Sequence, residues 1–143
     1  MTRSGNRQSR ELVIKRMSSI HPNKTRIEIL IQELVAAMGY RFMKNVASLP
    51  GRPDLVFPTQ KKAIFIHGCF WHRHQGCRKS SMPCVNVDYW SKKFATTVER
   101  DLQNQANLTN LGWSWLIIWE CQLKNLKLVE DSIIKFLEDI NGW

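Results

Sequence analysis

DLVFPTQKKAIFIHGCFWHRHQGC, residues 54–77, holds two apolar runs, a turn between them, and a loop crowded with side chains that bind metals or move protons. Leu55 to Phe57 and Ala63 to Ile66 have strand length, and Pro58-Thr59-Gln60-Lys61-Lys62 separates them, which predicts a β-hairpin. A hairpin symmetric about that turn sets Asp54, at the start of one strand, near His67 at the end of the next. An aspartate and a histidine at one end of a sheet suit a metal ion and a phosphate. The plainer reading is that Asp54 only completes the Gly51-Arg52-Pro53-Asp54 turn.

Outward from the hairpin, Ile27, Leu30, Ile31, Leu34, Val35 and Met38 recur at helical spacing from Lys24 to a stop at Gly39. Glu28 lies one residue off that stripe. Tyr40 to Val46 reads as a strand leading into the turn-rich SLPGRPD, residues 48–54. Asp88 is placed to cap a long helix running to about Asn110, with Trp90, Phe94, Val98, Leu102 and Leu108 inward and Gly112 as its end. Trp113 to Trp119 reads as a largely buried strand, and Leu128 to Ile140 as an amphipathic helix. The order α-β-β-β-α-β-α predicts an α/β fold, one mixed β-sheet flanked by helices in a single domain over 1–143. Residues 1–23 form a polar, basic segment with one apolar patch, Leu12, Val13, Ile14 and Met17, suited to a short helix or an arm.

At 143 residues, 43% hydrophobic and 23% charged, the chain has the length and composition of one globular domain with a real core. No run approaches the ~18 apolar residues of a membrane span. The basic start has no apolar segment of a secretory leader, so the expectation is a cytoplasmic protein with no membrane partner. In such a reducing compartment, four cysteines read as metal ligands or buried thiols, not disulfides. The net charge of +9, from 21 Lys and Arg against 12 acids, favours polyanionic partners through phosphate contacts.

Cys69, His74 and Cys77 have separations that let one loop wrap a tetrahedral Zn²⁺, with Cys84 or Cys121 as the fourth ligand. Cys121 would tie the loop to the sheet; Cys84 would keep the site local. A closed four-ligand site leaves His67 and His72 for other work, and a loop histidine beside it suits a general base. Glu28 and Asp101 each sit on a predicted helix, as acids of a site or of a solvated face. Phe70 and Trp71 are adjacent rings in a loop. They suit a wedge that prises base steps apart, or else one ring covers the metal site and the other the sheet.

Together these residues resemble the very short patch repair (Vsr-type) DNA mismatch endonucleases. The matching pieces are TRIE (25–28), SLPGRPDLVF (48–57), IFIHGCFWH (64–72), VERD (98–101) and LGWSWLIIWECQL (111–123), in that order over nearly the whole chain. The resemblance implies a restriction-endonuclease-like fold with a structural zinc site, in a monomer acting on double-stranded DNA of the bacterial nucleoid. It implies a Mg²⁺-dependent nick 5′ of the thymine in a T:G mismatch left by 5-methylcytosine deamination. By motif, Asp54 and the Ile66 main-chain carbonyl would bind Mg²⁺, and Glu28 would organise metal-bound water. His67 would contact the scissile phosphate, and His72 would be the general base oriented by Asp101. Cys69, His74, Cys77 and Cys121 would hold Zn²⁺, while Phe70 and Trp71 intercalate, with Met17 entering from the other groove.

Departures from the family pattern are Gly76 as an extra loop residue before Cys77, Cys84 as a spare thiol, and Thr97 where the family has an asparagine. The chain also ends at Trp143, short of a longer tail. Two rival readings are a non-catalytic zinc-stabilised mismatch-binding module, which needs no Mg²⁺ ligand, and a relaxed nicking nuclease that cuts paired DNA equally.

Overall fold

A computed structural model describes residues 24–138. Met17 and the rest of residues 1–23, like residues 139–143, lie outside the described part.

Helix α1 (Lys24–Ala37) buries the predicted stripe completely: Ile27, Leu30, Ile31, Leu34, Val35 and Met38 are all inside. Burying side chains of this size contributes roughly 1.5–3 kcal/mol each. Its end is a Schellman turn. Tyr40 N–H donates to Val35 O at 3.4 Å and Gly39 N–H to Ala36 O at 3.0 Å. Gly39 takes φ 95°, which a side chain would resist.

Strands β1 (Met43–Lys44), β2 (Leu55–Phe57), β3 (Lys62–His67) and β4 (Ser114–Trp119) form one sheet in the order β1-β2-β3-β4. The first two pairings are antiparallel and β3–β4 is parallel. The crossover between the parallel strands is helix α2 (Val87–Asn110), and helix α3 (Leu126–Glu138) closes the described chain. The element order and the mixed sheet are those expected from the sequence.

Strand alternation sorts the sheet into two faces. Leu55, Phe57, Ile64, Ile66 and Ile118 join α1 with Val129, Ile133, Phe136 and Leu137 of α3 in the main core. Lys62 has the same parity and is buried with them; its Nζ donates to Phe136 O and lies 5.4 Å from that ring. The opposite face carries Phe65, His67, Ile117 and Trp119, and α2 lies over it.

Five local expectations are corrected. The strand predicted over Tyr40–Val46 shrinks to two residues, because Asn45 turns left-handed at φ 48°. The hairpin is tighter than predicted. Pro58–Gln60 form a 3-10 turn and left-handed Lys61 (φ 53°) completes it, so Lys62 belongs to β3 and pairs with Phe57. Asn86, not Asp88, stands at the N-cap of α2, without a side-chain capping bond, and Asp88 falls in the first turn. In α2 only Phe94 and Leu108 are buried. Leu102 is 61% exposed, because a cleft, not the sheet, lies beneath that part of the helix. β4 is also less enclosed than predicted: among its residues only Ile118 is buried, since the strand lies at the sheet's edge.

Candidate functional site

The parallel register pairs the last residues of β3 and β4, His67 with Trp119. The chain beyond each strand therefore emerges at one edge of the sheet, where α2 crosses. A cleft of about 290 Å³ opens there, with His67, His72, Asp101, Leu102, Gln105 and Trp119 among its lining residues. The loop after β3 turns back at once, His72 N–H donating to Gly68 O at 3.1 Å. That turn lays the His72 ring on His67, with centroids 3.8 Å apart and planes 9° from parallel. Asp101, on α2, meets the His72 ring at its Nδ1, with Oδ2 at 2.7 Å. With the carboxylate accepting from Nδ1–H, Nε2 keeps the lone pair of the imidazole.

Asp54 is buried on the hairpin. The observed register, Leu55 opposite Ile64, sets Asp54 across from Phe65 rather than His67, and its Oδ2 accepts from Ile66 N–H at 2.7 Å. Its parity puts it on the face of the sheet that carries His67. Glu28 is half-buried on α1, against the other face. Among the described residues, Asp54 and Glu28 join neither of the clusters that bring three or more possible metal-binding side chains together.

One of those clusters is His67, His72 and Asp101. The other is Cys69, His74, Cys77 and Cys121, whose donor atoms all lie within 4.8 Å of one another. His74 Nδ1 is 3.7 Å from Cys69 Sγ and 3.4 Å from Cys121 Sγ. Cys121 N–H also donates to Cys69 Sγ at 3.3 Å. The extra residue Gly76 is absorbed in a turn at φ 72° that brings Cys77 back, its N–H donating to His74 O at 3.3 Å. Cys84 is exposed and outside the cluster. Burial pushes the Cys69 thiol up to about 12, whereas a hydrogen bond from the Lys79 backbone holds Cys77 below the ordinary thiol range. The arrangement is compatible with a metal site that ties the loop to the end of β4. Ser80 Oγ donates to Cys69 O at 2.6 Å, and Glu120 Oε1 accepts from Cys69 N–H at 3.4 Å, so the Cys69 backbone is braced on both sides.

Residues 7–79 match the family described as DNA mismatch endonuclease Vsr. The DNA mismatch endonuclease Vsr of Escherichia coli is 39% identical over 126 residues, 87% of this chain and 80% of that protein. The type II nicking enzyme V.XorIIP of Xanthomonas oryzae is 38% identical over 122 residues, 85% of this chain and 89% of the relative. V.NmeAIP of Neisseria meningitidis, also a type II nicking enzyme, is 35% identical over 124 residues, 87% of this chain and 88% of its own. This chain belongs to the Vsr family.

As a Vsr-family protein it is a DNA endonuclease of the mismatch-directed nicking kind, which decides against the non-catalytic binding module. No helix among the described residues is long and apolar enough to cross a membrane. Phe70 meets Trp71, Trp90 and Phe94 edge-on at 5.1–6.0 Å, and Trp71 remains 46% exposed.

Two side chains of the site were not singled out in the sequence. Trp119 stacks on His74 at 4.2 Å and meets the His67 ring edge-on at 5.2 Å, joining the two clusters. Its place directly before Glu120-Cys121 was the available signal. Arg73 lies over Phe94 at 3.9 Å, a contact across to α2 that no local pattern announces.

Proposed function

We propose that this Vsr-family protein nicks one strand of duplex DNA 5′ of the thymine in a T:G mismatch, in a Mg²⁺-dependent reaction. The observation that carries the reading is the His72–Asp101 pair at 2.7 Å, with His72 stacked on His67 and carried by the loop that holds the Cys/His cluster. His72 Nε2 takes the proton of the attacking water, while Asp101 fixes the ring and supports the charge it acquires. His67 donates to the scissile phosphate. Water oxygen bonds to phosphorus, the bond from phosphorus to the 3′ oxygen of the preceding nucleotide breaks, and that oxygen leaves as a hydroxyl after taking a proton from solvent water, which nicks the strand.

The oxygen donors of Asp54 and the Ile66 carbonyl suit a hard cation better than the imidazole-rich cluster does. They are the proposed Mg²⁺ ligands, with Glu28 ordering water around them. Bound there, Mg²⁺ would stabilise negative charge on the reacting oxygens.

Zn²⁺ is the proposed occupant of the Cys69, His74, Cys77 and Cys121 site. Tetrahedral zinc with bonds of about 2.3 Å to sulfur and 2.0–2.1 Å to nitrogen sets sulfur and nitrogen about 3.6 Å apart. The separations of 3.4 and 3.7 Å bracket that value. Four protein ligands make the site structural. Phe70 and Trp71 are the proposed wedge beside the mismatch, with Met17 from the other groove. The chain acts as a single-domain monomer at the bacterial chromosome, and its +9 charge supplies the sequence-independent part of DNA affinity.

The test is nicking of end-labelled duplexes carrying T:G, T:A or C:G, with and without Mg²⁺. A Mg²⁺-dependent cut confined to the T strand of the T:G duplex is expected. Equal cutting of all three would leave a relaxed nuclease of the same fold and remove the repair specificity.

A further inference from the structure

Arg73 stands between His72 and His74 and lines the cleft, the place for a cation that grips DNA phosphate. Its guanidinium is instead turned into the protein. Nη1 donates to Phe70 O at 3.1 Å and Nη2 donates to Ser80 O. The group lies 3.9 Å over the Phe94 ring and 5.5 Å from Phe70. Arg73 also has φ 53°, a left-handed backbone that a residue with a side chain adopts only when its surroundings impose it. A planar fork that stacks on a ring while its edges bond two carbonyls is geometry that arginine supplies and lysine does not.

We infer that Arg73 is a positioning residue. It clamps the loop to α2, holds Phe70 and Trp71 at their angle to Trp90 and Phe94, and thereby sets discrimination between mismatched and paired DNA without gripping phosphate itself. The inference rests on the proposed role of Phe70 and Trp71 as the wedge.

A bound phosphate and a clamp differ in their response to salt. Each phosphate contact contributes about 0.9 to the slope of log affinity against log salt. Binding of full-length Arg73→Lys and Arg73→Met to T:G and T:A duplexes, without added Mg²⁺ and over a range of salt, separates the two. Expected are a slope equal to that of the unmodified protein and a loss of T:G preference of about tenfold, as for one broken charge-assisted hydrogen bond. A slope shallower by about 0.9 overturns the inference whatever the preference does. An unchanged preference overturns it too, provided Phe70→Ala loses that preference. If Phe70→Ala keeps it, the wedge reading itself fails.

Should both Arg73 variants fail to fold, NMR of the unmodified protein still decides. The Arg73 side-chain signals are expected to be displaced by the Phe94 ring current and to stay so when DNA is added. Their return to solvent values on DNA binding would show the guanidinium leaving its clamp for the phosphate.

Discussion

Gly51, in the turn before Asp54, offers the most direct test of how the hairpin and α2 are held together. Its φ is +81°, and a Cβ built there would lie 2.9 Å from Phe65 Cε1 and 3.1 Å from Asn104 Cβ. Gly51→Ala therefore meets two penalties. A left-handed backbone costs a residue with a side chain about 1–2 kcal/mol. Ordinary carbon contacts are near 3.5–4.0 Å, so the overlap forces β3 and α2 apart, and overpacking of this kind costs about 1–3 kcal/mol more. The sum of about 2–5 kcal/mol should lower Tm by roughly 6–15 °C in a domain of this size. Activity should fall with it, because Asn104 is one helical turn beyond Asp101 and a displaced α2 lengthens the Asp101–His72 bond. The assay is thermal unfolding of Gly51→Ala, Phe65→Leu and the double variant. If the steric account holds, shaving Phe65 relieves part of the Gly51→Ala cost and the double variant loses less than the sum. A Tm drop below about 3 °C, or strictly additive losses, would refute the close approach as the reason for glycine here.

Three other outcomes follow from the site. Asp101→Asn should reduce the nicking rate by about 10²–10⁴-fold while leaving T:G duplex affinity within about twofold, because only the orientation of His72 changes; single-turnover nicking that stays within threefold would remove Asp101 from the proposed mechanism. Purified Cys121→Ser should lose bound metal and much of its stability, whereas Cys84→Ser should retain both, as read by elemental analysis and thermal unfolding. Metal affinity should fall as pH falls. The Cys69 thiol, pushed up to about 12 without metal, still holds its proton at pH 8, and metal binding must expel it. Chelator competition between pH 8 and 6 should therefore show at least about a tenfold loss per unit, and a flat profile would mean that Cys69 is not a thiolate ligand.

What could be read from the sequence depended on how local its physical cause was. The α1 stripe was legible because one continuous face packs on the sheet. The same reasoning failed at Leu102, since α2 rests on the sheet near its C-terminal end and spans a cleft near Asp101, where apolar periodicity loses its partner surface. The hairpin was visible as two apolar runs, but its register was not, because that depended on Lys61 adopting a left-handed turn. Cys69, His74 and Cys77 could be grouped by type and spacing. Cys121 was preferred to Cys84 through the family resemblance, and the physical reason lies in the parallel register, which places Cys69 and Cys121 each two residues past the paired His67 and Trp119. The His72–Asp101 contact joins a loop to a helix and emerged from the residues alone as no more than two separate candidates; the family resemblance paired them.

The loop from Cys69 to Cys77 bears on how this enzyme fails. Between Cys69 and Cys77, the proposed metal ligands at its two ends, it carries Phe70 and Trp71, proposed to find the lesion, and His72, proposed to cut beside it. Heat, oxidation of a thiol or theft of the metal would unravel reading and cutting in the same event. A damaged copy of this protein should thus fall silent, and not persist as a nuclease that has lost its judgement about where to cut the chromosome.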